Sequence, residues 1–203
     1  MRLEKPKLEK DDSLVTALRQ RRTTREIRDE KLPSQTLSNL LYAACGVNRE
    51  QGPFDAPGVT AASASNSREI DVYVALEDGA YRFDAEEHAL VPVVSDDVRL
   101  LAFTPHQPLI SPGAPVQLIY VVDVDKLEHT RGFDEPGLHD PEVQKSYYFV
   151  DTGIIAGNVY LFAASQGLGC WFHNCDRDGL AKALRLGDRQ RVLFAQTVGY
   201  TLR

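Results

Sequence analysis

Apolar residues recur at helical spacing in four segments of the chain. The first predicted helix follows Ser13, which can cap it, and has Leu14, Val15 and Leu18 on one face. A second begins at Pro33 and Ser34 and ends before Gly46. The longest covers residues 141–166, and a short fourth one, which Asp176 can cap, continues to residue 184.

Between these helices, the alternation and β-branched content predict strands over residues 70–76, 80–83, 89–94, 116–124 and 192–200. Asp78-Gly79 is typical of a hairpin turn between the first two. Residues 116–124 are the most apolar of the set, which places them at the centre of the sheet. The order of elements predicts an α+β fold, with a sheet flanked by helices.

Residues 48–67 have few large apolar side chains and many Gly, Pro, Ala, Ser and Asn residues. A loop of this length within a domain suggests a functional role. The segment with Val98, Leu100, Leu101 and Phe103 predicts a short helix that ends before Pro105.

The chain has 203 residues, 43% of them hydrophobic, which is most consistent with one domain over residues 1–203. A net charge of -6 argues against nucleic acid as a partner. No apolar run approaches the length of a membrane span and the first residues are charged, so we expect a cytoplasmic protein without a membrane partner. The three cysteines lack metal-ligand spacing, so no metal site is predicted.

Arg21-Arg22-Thr23-Thr24-Arg25 places three guanidinium groups and two hydroxyls at the end of the first predicted helix. Guanidinium forks match phosphate oxygens, so a phosphorylated small ligand is one interpretation. The other is a solvated basic surface.

This run, with Ala17-Leu18-Arg19-Gln20 before it, resembles the opening motif of the FMN-dependent nitroreductase family. Thr60-Ala61-Ala62-Ser63-Ala64-Ser65-Asn66 is similar to its APSxxN loop, and residues 151–169 to its long helix closing in GLG. Val198-Gly199-Tyr200 is similar to its last strand. The resemblance implies a mostly antiparallel central sheet, a long central helix and an intertwined homodimer with FMN at the subunit interface. The strand pattern near Asp71-Val72-Tyr73-Val74 also resembles the branch of SagB-type azoline dehydrogenases.

The resemblance also implies which residues bind tightly held FMN. Arg21, Arg22 and Thr23 would surround the phosphate and ribityl chain, and Arg25 would stabilise the anionic reduced ring. The ring would contact Ala62, Ser63, Ala64 and Asn66 on one side and the segment Gly169, Cys170 and Trp171 near N5, with Arg203 reaching the phosphate. Ala62 and Arg68 stand where the family usually has proline and glutamine.

The family reaction would be a ping-pong hydride transfer from NAD(P)H to nitroaromatic or quinone-like acceptors. The chain has no GxGxxG motif after a strand, so the nicotinamide would stack transiently on the flavin. Catalytic side chains are not required, but Lys145 and Tyr147 (with Tyr148) would serve azoline oxidation, and His173 is a candidate proton donor. Ordinary structural roles for these residues remain open, as does a flavin-binding accessory protein without turnover.

Overall fold

Six of the strands form one antiparallel sheet in the computed structural model, which describes residues 1–7, 14–104, 111–131 and 139–202. The strands of these ranges are β1 (Val47–Arg49), β2 (Gly58–Val59), β3 (Ile70–Leu76), β4 (Gly79–Asp84), β5 (Ala89–Val94), β6 (Val116–Asp123), β7 (Leu168–His173) and β8 (Gln190–Tyr200). The helices are α1 (Leu14–Gln20), α2 (Ser34–Cys45), α3 (Val124–Glu128), α4 (Pro141–Ser165) and α5 (Arg177–Ala183). The large sheet has the order β5-β4-β3-β6-β8-β7, and β1 pairs with β2 separately.

Strand β6 lies between β3 and β8, which confirms its predicted central position. Its side chains alternate between two cores. Leu118 and Tyr120 belong to the core that includes α2 and α4, whereas Ile119 and Val121 belong to the core that includes α5. Both faces of the strand are therefore covered, which explains its unbroken apolar run and confirms the predicted α+β fold.

The long helix α4 confirms the predicted 141–166 element almost to the residue. The Asp140 carboxylate accepts the Glu142 amide at 2.8 Å and caps the helix, and Pro141 suits the first turn because it needs no N–H there. None of the helices in the described ranges combines the length and the apolar content that a membrane span requires.

Three features differ from the predicted elements. Strand β7 follows the helix-ending turn at Gly167 (φ 66°), where the glycine-rich sequence hides any strand alternation. Residues 124–128 form helix α3 directly after β6. The Asp123 side chain caps this helix by accepting the Asp125 amide at 3.1 Å. The short helix expected after Ser95 is a 3-10 turn, Arg99–Ala102.

The predicted apolar face of α1 points away from the chain's own core. Leu14, Val15 and Leu18 are 62%, 55% and 56% exposed, and Ala17 is the buried residue of this helix. The proposed cap at Ser13 lies outside the described residues. An exposed apolar helix face of this kind is typical of a surface that packs against another molecule.

Candidate functional site

The arginine segment is fixed along the edge of the large sheet. The Arg21 amide donates to the Ala17 carbonyl at 2.8 Å and so closes the last turn of α1. The Thr24 amide then donates to the Cys170 carbonyl of β7 at 2.9 Å, and the Arg28 amide to the Tyr200 carbonyl of β8 at 2.8 Å. The main chain of this segment is therefore held by both strands while its side chains are presented outward.

Tyr160 of α4 organises the same region. Its hydroxyl lies 3.1 Å from the Thr23 hydroxyl and accepts the Phe172 amide at 2.9 Å. The guanidinium carbon of Arg21 is 5.5 Å from the centre of its ring, a cation–π distance. Its signal in the sequence is a tyrosine within a largely apolar stretch of the helix.

The three guanidinium groups of this segment have no carboxylate partner within the described part of the chain. Arg21, Arg22 and Arg25 are exposed, and none of them forms an ion pair there, although Arg25 lies over the Trp171 ring at 5.5 Å. A hollow of about 350 Å3 beside them is lined by Arg22, Thr24, Tyr160 and Cys170, among others. This is a donor set that suits an anion such as a phosphate.

Strand β7 supplies backbone groups next to these arginines. The carbonyl of Cys170 and the amide of Phe172 both bond away from the ladder with β8. Because N–H and C=O of one residue point the same way in an antiparallel strand, the Cys170 amide also points outward, while those of Gly169 and Trp171 point toward β8. Of the three residues predicted to lie near N5, Cys170 is therefore the one whose main-chain amide can reach a ligand beside the strand.

The Cys170 side chain has a different setting. Its thiol is buried and accepts the Gln196 side-chain amide at 3.0 Å, and burial raises its pKa to about 12. A thiol in this state is a poor nucleophile. Cys170 thus contributes through its main chain.

The predicted loop residues Ala62, Ser63 and Asn66 line a different cavity, of about 700 Å3. The turn Ala64–Asn66 is unusual because Ser65 and Asn66 have φ values of 48° and 57°, followed by Arg68 at 48°. The Asn66 side-chain nitrogen donates to the Pro57 carbonyl at 3.2 Å. This amide therefore joins the turn to residues 53–57.

Two carboxyl groups, which the sequence analysis did not single out, lie beneath this turn. Asp151 accepts the Ala64 amide at 3.0 Å, and Glu69 accepts the Ser67 hydroxyl at 2.6 Å. Glu69 is fully buried, and its burial together with the nearby Asp151 carboxylate raises its pKa to about 7. Both residues were visible in the sequence by their positions. Glu69 stands directly before the apolar strand β3, and Asp151 stands in the middle of helix α4.

The predicted cofactor residues thus form two groups within one chain. The arginine segment meets β7 near Tyr160, whereas the loop of residues 62–66 meets α4 at Asp151. These two helix positions are nine residues apart, or about 14 Å along the axis. Arg203 lies outside the described residues.

The candidate proton-transfer residues have structural partners. Lys145 pairs with Glu142 on the same helix, and Tyr147 is half-buried on α4.

Both ring nitrogens of His173 form hydrogen bonds, one with the Thr197 hydroxyl at 2.7 Å and the other with the Asn174 carbonyl at 2.9 Å. His173 also stacks on Phe103, and burial lowers its pKa. Trp171 is buried in the core that contains Phe103, and the face of its ring also contacts the Arg25 guanidinium.

Comparison with known proteins agrees with this architecture. A family model described as the nitroreductase family matches residues 18–200. A protein named as a nitroreductase in Methanocaldococcus jannaschii is 30% identical over 176 residues, which cover 83% of this chain and 81% of the relative.

Two solved structures extend the comparison. One named as a nitroreductase, from Ralstonia eutropha, has a TM-score of 0.84 and 32% identity, covering 99% of this chain and 89% of the other. The NADPH:FMN oxidoreductase from Vibrio harveyi complexed with NAD+ shares the fold, with a TM-score of 0.64, 18% identity and coverage of 94% and 69%. The chain therefore belongs to the nitroreductase family.

Proposed function

We propose that this protein is an FMN-dependent NAD(P)H oxidoreductase and that residues 1–203 form one FMN-binding domain. Membership of the nitroreductase family supports a general oxidoreductase role. The observation that carries the choice of FMN is the set of guanidinium groups at Arg21, Arg22 and Arg25, which have no acidic partner among the described residues. Exposed positive charges on a fixed main chain beside a hollow form a suitable binding site for an anionic ligand.

The two groups of residues would divide the cofactor between them. Arg21, Arg22 and Thr23 bind the phosphate and the ribityl chain, and Arg25 lies near the ring. The outward amide of Cys170 would donate a hydrogen bond to the flavin near N5, and Trp171 contacts Arg25. The loop with Ala62, Ser63, Ala64 and Asn66, most of which lines the larger cavity, would contact the ring. FMN, when bound, supplies the hydride-accepting and hydride-donating chemistry.

Because the two groups are about 14 Å apart along α4, we propose that each site is completed by a second copy of the chain. Helix α4 exposes an apolar stripe at i, i+3 and i+4 spacing: Phe149, Val150, Gly153, Ile154 and Gly157. A Cβ at either glycine would meet no atom within 4 Å, so another helix has room to approach. Burial of this stripe in a homodimer removes it from water.

The proposed reaction takes a hydride from NADH or NADPH, releases the oxidised nicotinamide, and passes the electrons to a nitroaromatic or quinone-like acceptor at the same site. The fold shared with the NADPH:FMN oxidoreductase from Vibrio harveyi complexed with NAD+ supports a nicotinamide donor. The chain's task is then to bind and orient the cofactor and leave one face open.

The test is an anaerobic titration of the purified protein followed by its visible spectrum. We expect a yellow protein, or one that binds added FMN, whose flavin absorbance bleaches with NADH or NADPH and returns with a nitroaromatic or quinone. A protein that binds no FMN contradicts the site assignment. Bound flavin that neither nucleotide reduces supports an accessory role without turnover.

A further inference from the structure

Glu69 is a buried carboxyl group whose two oxygens have different surroundings. One oxygen, Oε2, accepts the Ser67 hydroxyl at 2.6 Å. The other, Oε1, is buried, and no donor in the described part of the chain reaches it. An ionised carboxylate oxygen left in this position is costly, whereas a proton on Oε1 removes the charge and turns the oxygen into a donor.

The neighbouring carboxyl group is Asp151. This residue is 5% exposed, its charge acts on Glu69, and its Oδ2 already accepts the Ala64 amide at 3.0 Å. A single proton between the two carboxyl groups would satisfy the orphaned oxygen and leave one negative charge instead of two. Adjacent carboxyl groups commonly hold one proton between them for this reason.

The pair is attached to both ends of the strained turn. Asp151 holds the amide of Ala64 at its start, and Glu69 holds the hydroxyl of Ser67 at its end. Ser65 and Asn66 between them keep positive φ values, which non-glycine residues adopt at a cost in energy. The turn keeps this shape only while its surroundings support it.

Other charged groups of the cavity have partners of opposite sign. Asp71 accepts Lys126 at 2.7 Å and lies 4.0 Å from Arg82, and Arg68 pairs with Glu86 at 2.8 Å. The remaining titratable residues of its lining are Cys45, Asp84, Glu87, His129 and Arg131, and burial raises the pKa of the Cys45 thiol to about 12. Among the described residues, no basic group forms an ion pair with Glu69 or Asp151, so a shared proton is the means of reducing their charge.

We propose that Glu69 and Asp151 share one proton and act as positioning residues that hold the turn of residues 62–68 in the shape that receives the flavin. The role for the flavin rests on the proposed function, whereas the shared proton belongs to the chain itself. Loss of the proton leaves two adjacent carboxylates in a buried site, and their repulsion loosens the turn above them.

Hydrogen exchange of the flavin-free protein tests the pair directly. In wild type, we expect the protection of peptides covering residues 62–68, corrected for the intrinsic pH dependence of exchange, to fall about tenfold between pH 6 and pH 8.5. Glu69→Gln mimics the protonated acid, since its amide nitrogen donates to Asp151 while its oxygen accepts from Ser67, and should stay protected at both values. The control Glu77→Gln alters an exposed carboxyl paired with Lys31 and should follow wild type.

An equal loss of protection in wild type and Glu69→Gln would overturn the shared proton. If Glu69→Gln does not fold, Asp151→Asn replaces it, because its side-chain oxygen still accepts from Ala64 and its nitrogen donates to Glu69. This variant should also remain protected at pH 8.5, and loss of protection there counts against the pair.

FMN titrations separate this inference from the proposed function. We expect the FMN dissociation constant of wild type to rise about tenfold from pH 6.5 to pH 8.5 and that of Glu69→Gln to change less than twofold, since ionisation of the phosphate is common to both. FMN binding with the same pH dependence in both proteins overturns the positioning role. Absence of FMN binding in every variant rejects the proposed function, and hydrogen exchange still decides whether the proton is shared.

Discussion

Single residues in this protein take their roles from what surrounds them. Arg22 and Cys170 are neighbours in the same hollow, yet the first presents a side-chain charge to solvent and the second presents its main chain while its thiol is buried. Asn66 donates its side-chain nitrogen to the Pro57 carbonyl and so supports a loop. Residue type alone predicts the chemistry that is available, and local geometry selects which part of it is used.

Arg22→Gln should weaken FMN binding. Removal of one charge-assisted phosphate contact, worth about 1.5–3 kcal/mol, corresponds to roughly a 10- to 100-fold higher dissociation constant. Quenching of flavin fluorescence on binding measures it. Arg28→Gln is the matched control, because Arg28 is close in sequence but pairs with Glu30. Equal affinities for both variants and wild type would remove Arg22 from the phosphate site.

The buried carboxyl at position 69 should make stability depend on pH. Its pKa is about 7 in the folded protein against an ordinary 4.5, so the folded state holds the proton more tightly than the unfolded chain. The contribution of this group is therefore full below about pH 4.5 and is lost as the pH rises to about 7, by roughly 3 kcal/mol.

Urea unfolding at several pH values measures this effect as a difference between variants. The free energy of unfolding of Glu69→Gln minus that of wild type should rise between pH 4.5 and pH 7 and then level off. A flat difference over this range would show that Glu69 is ionised in the folded protein.

At the scale of elements, the contact between the arginine segment and the sheet depends on close packing at β8. A Cβ at Gly199 would lie 2.7 Å from Ile27 Cγ2 and 2.9 Å from Pro115 Cδ. Ile27 is buried and bridges to Thr201, so this glycine allows the segment after the arginines to lie against the sheet.

Gly199→Ala should therefore lower the free energy of unfolding by about 1–3 kcal/mol, the usual cost of overpacking. It should also weaken FMN binding, because Ile27 is two residues from Arg25. Gly187→Ala serves as the control, since the nearest atom to its Cβ would be 3.9 Å away, and should change stability by no more than about 0.5 kcal/mol. Thermal and urea unfolding measure the change in the free energy of unfolding for each variant. Equal changes in the two variants would argue against tight packing at Gly199.

At the largest scale, one chain leaves an apolar surface exposed and holds its two groups of predicted cofactor residues apart. Helix α4 exposes an apolar stripe, in which Val150 is 60% and Ile154 is 36% exposed, and helix α1 also exposes apolar side chains. The proposed homodimer would account for the exposed surface and for the separation between the arginine segment and the loop of residues 62–66.

Ile154→Glu should convert the proposed dimer into monomers, because a charge would be buried against the partner helix. Sedimentation velocity measures the change, and FMN affinity should fall with it if the site is shared between subunits. Leu100→Glu alters another exposed apolar residue, at 55% exposure, away from α4 and should leave the mass unchanged. A monomeric wild type that binds FMN would reject the shared site.

Elements with strong periodicity and the positions of the charges can be predicted from the amino-acid sequence. Helix α4, the central strand β6 and the α+β fold were readable because periodicity and apolar content report burial directly. The arginine run was visible because it is local. Strand β7 was missed, since its glycines hide alternation and its pairing with β8 forms only in the folded chain.

Contacts between residues that are distant in sequence became visible in the folded chain. It brought Tyr160 to Thr23 across 137 positions, set Asp151 beneath the turn at Ala64, and left the two predicted groups of cofactor residues apart. It also showed that the apolar face of α1 points outward. The physical reason is that local patterns fix the conformation of a segment, whereas contacts between distant segments depend on packing that no single segment encodes.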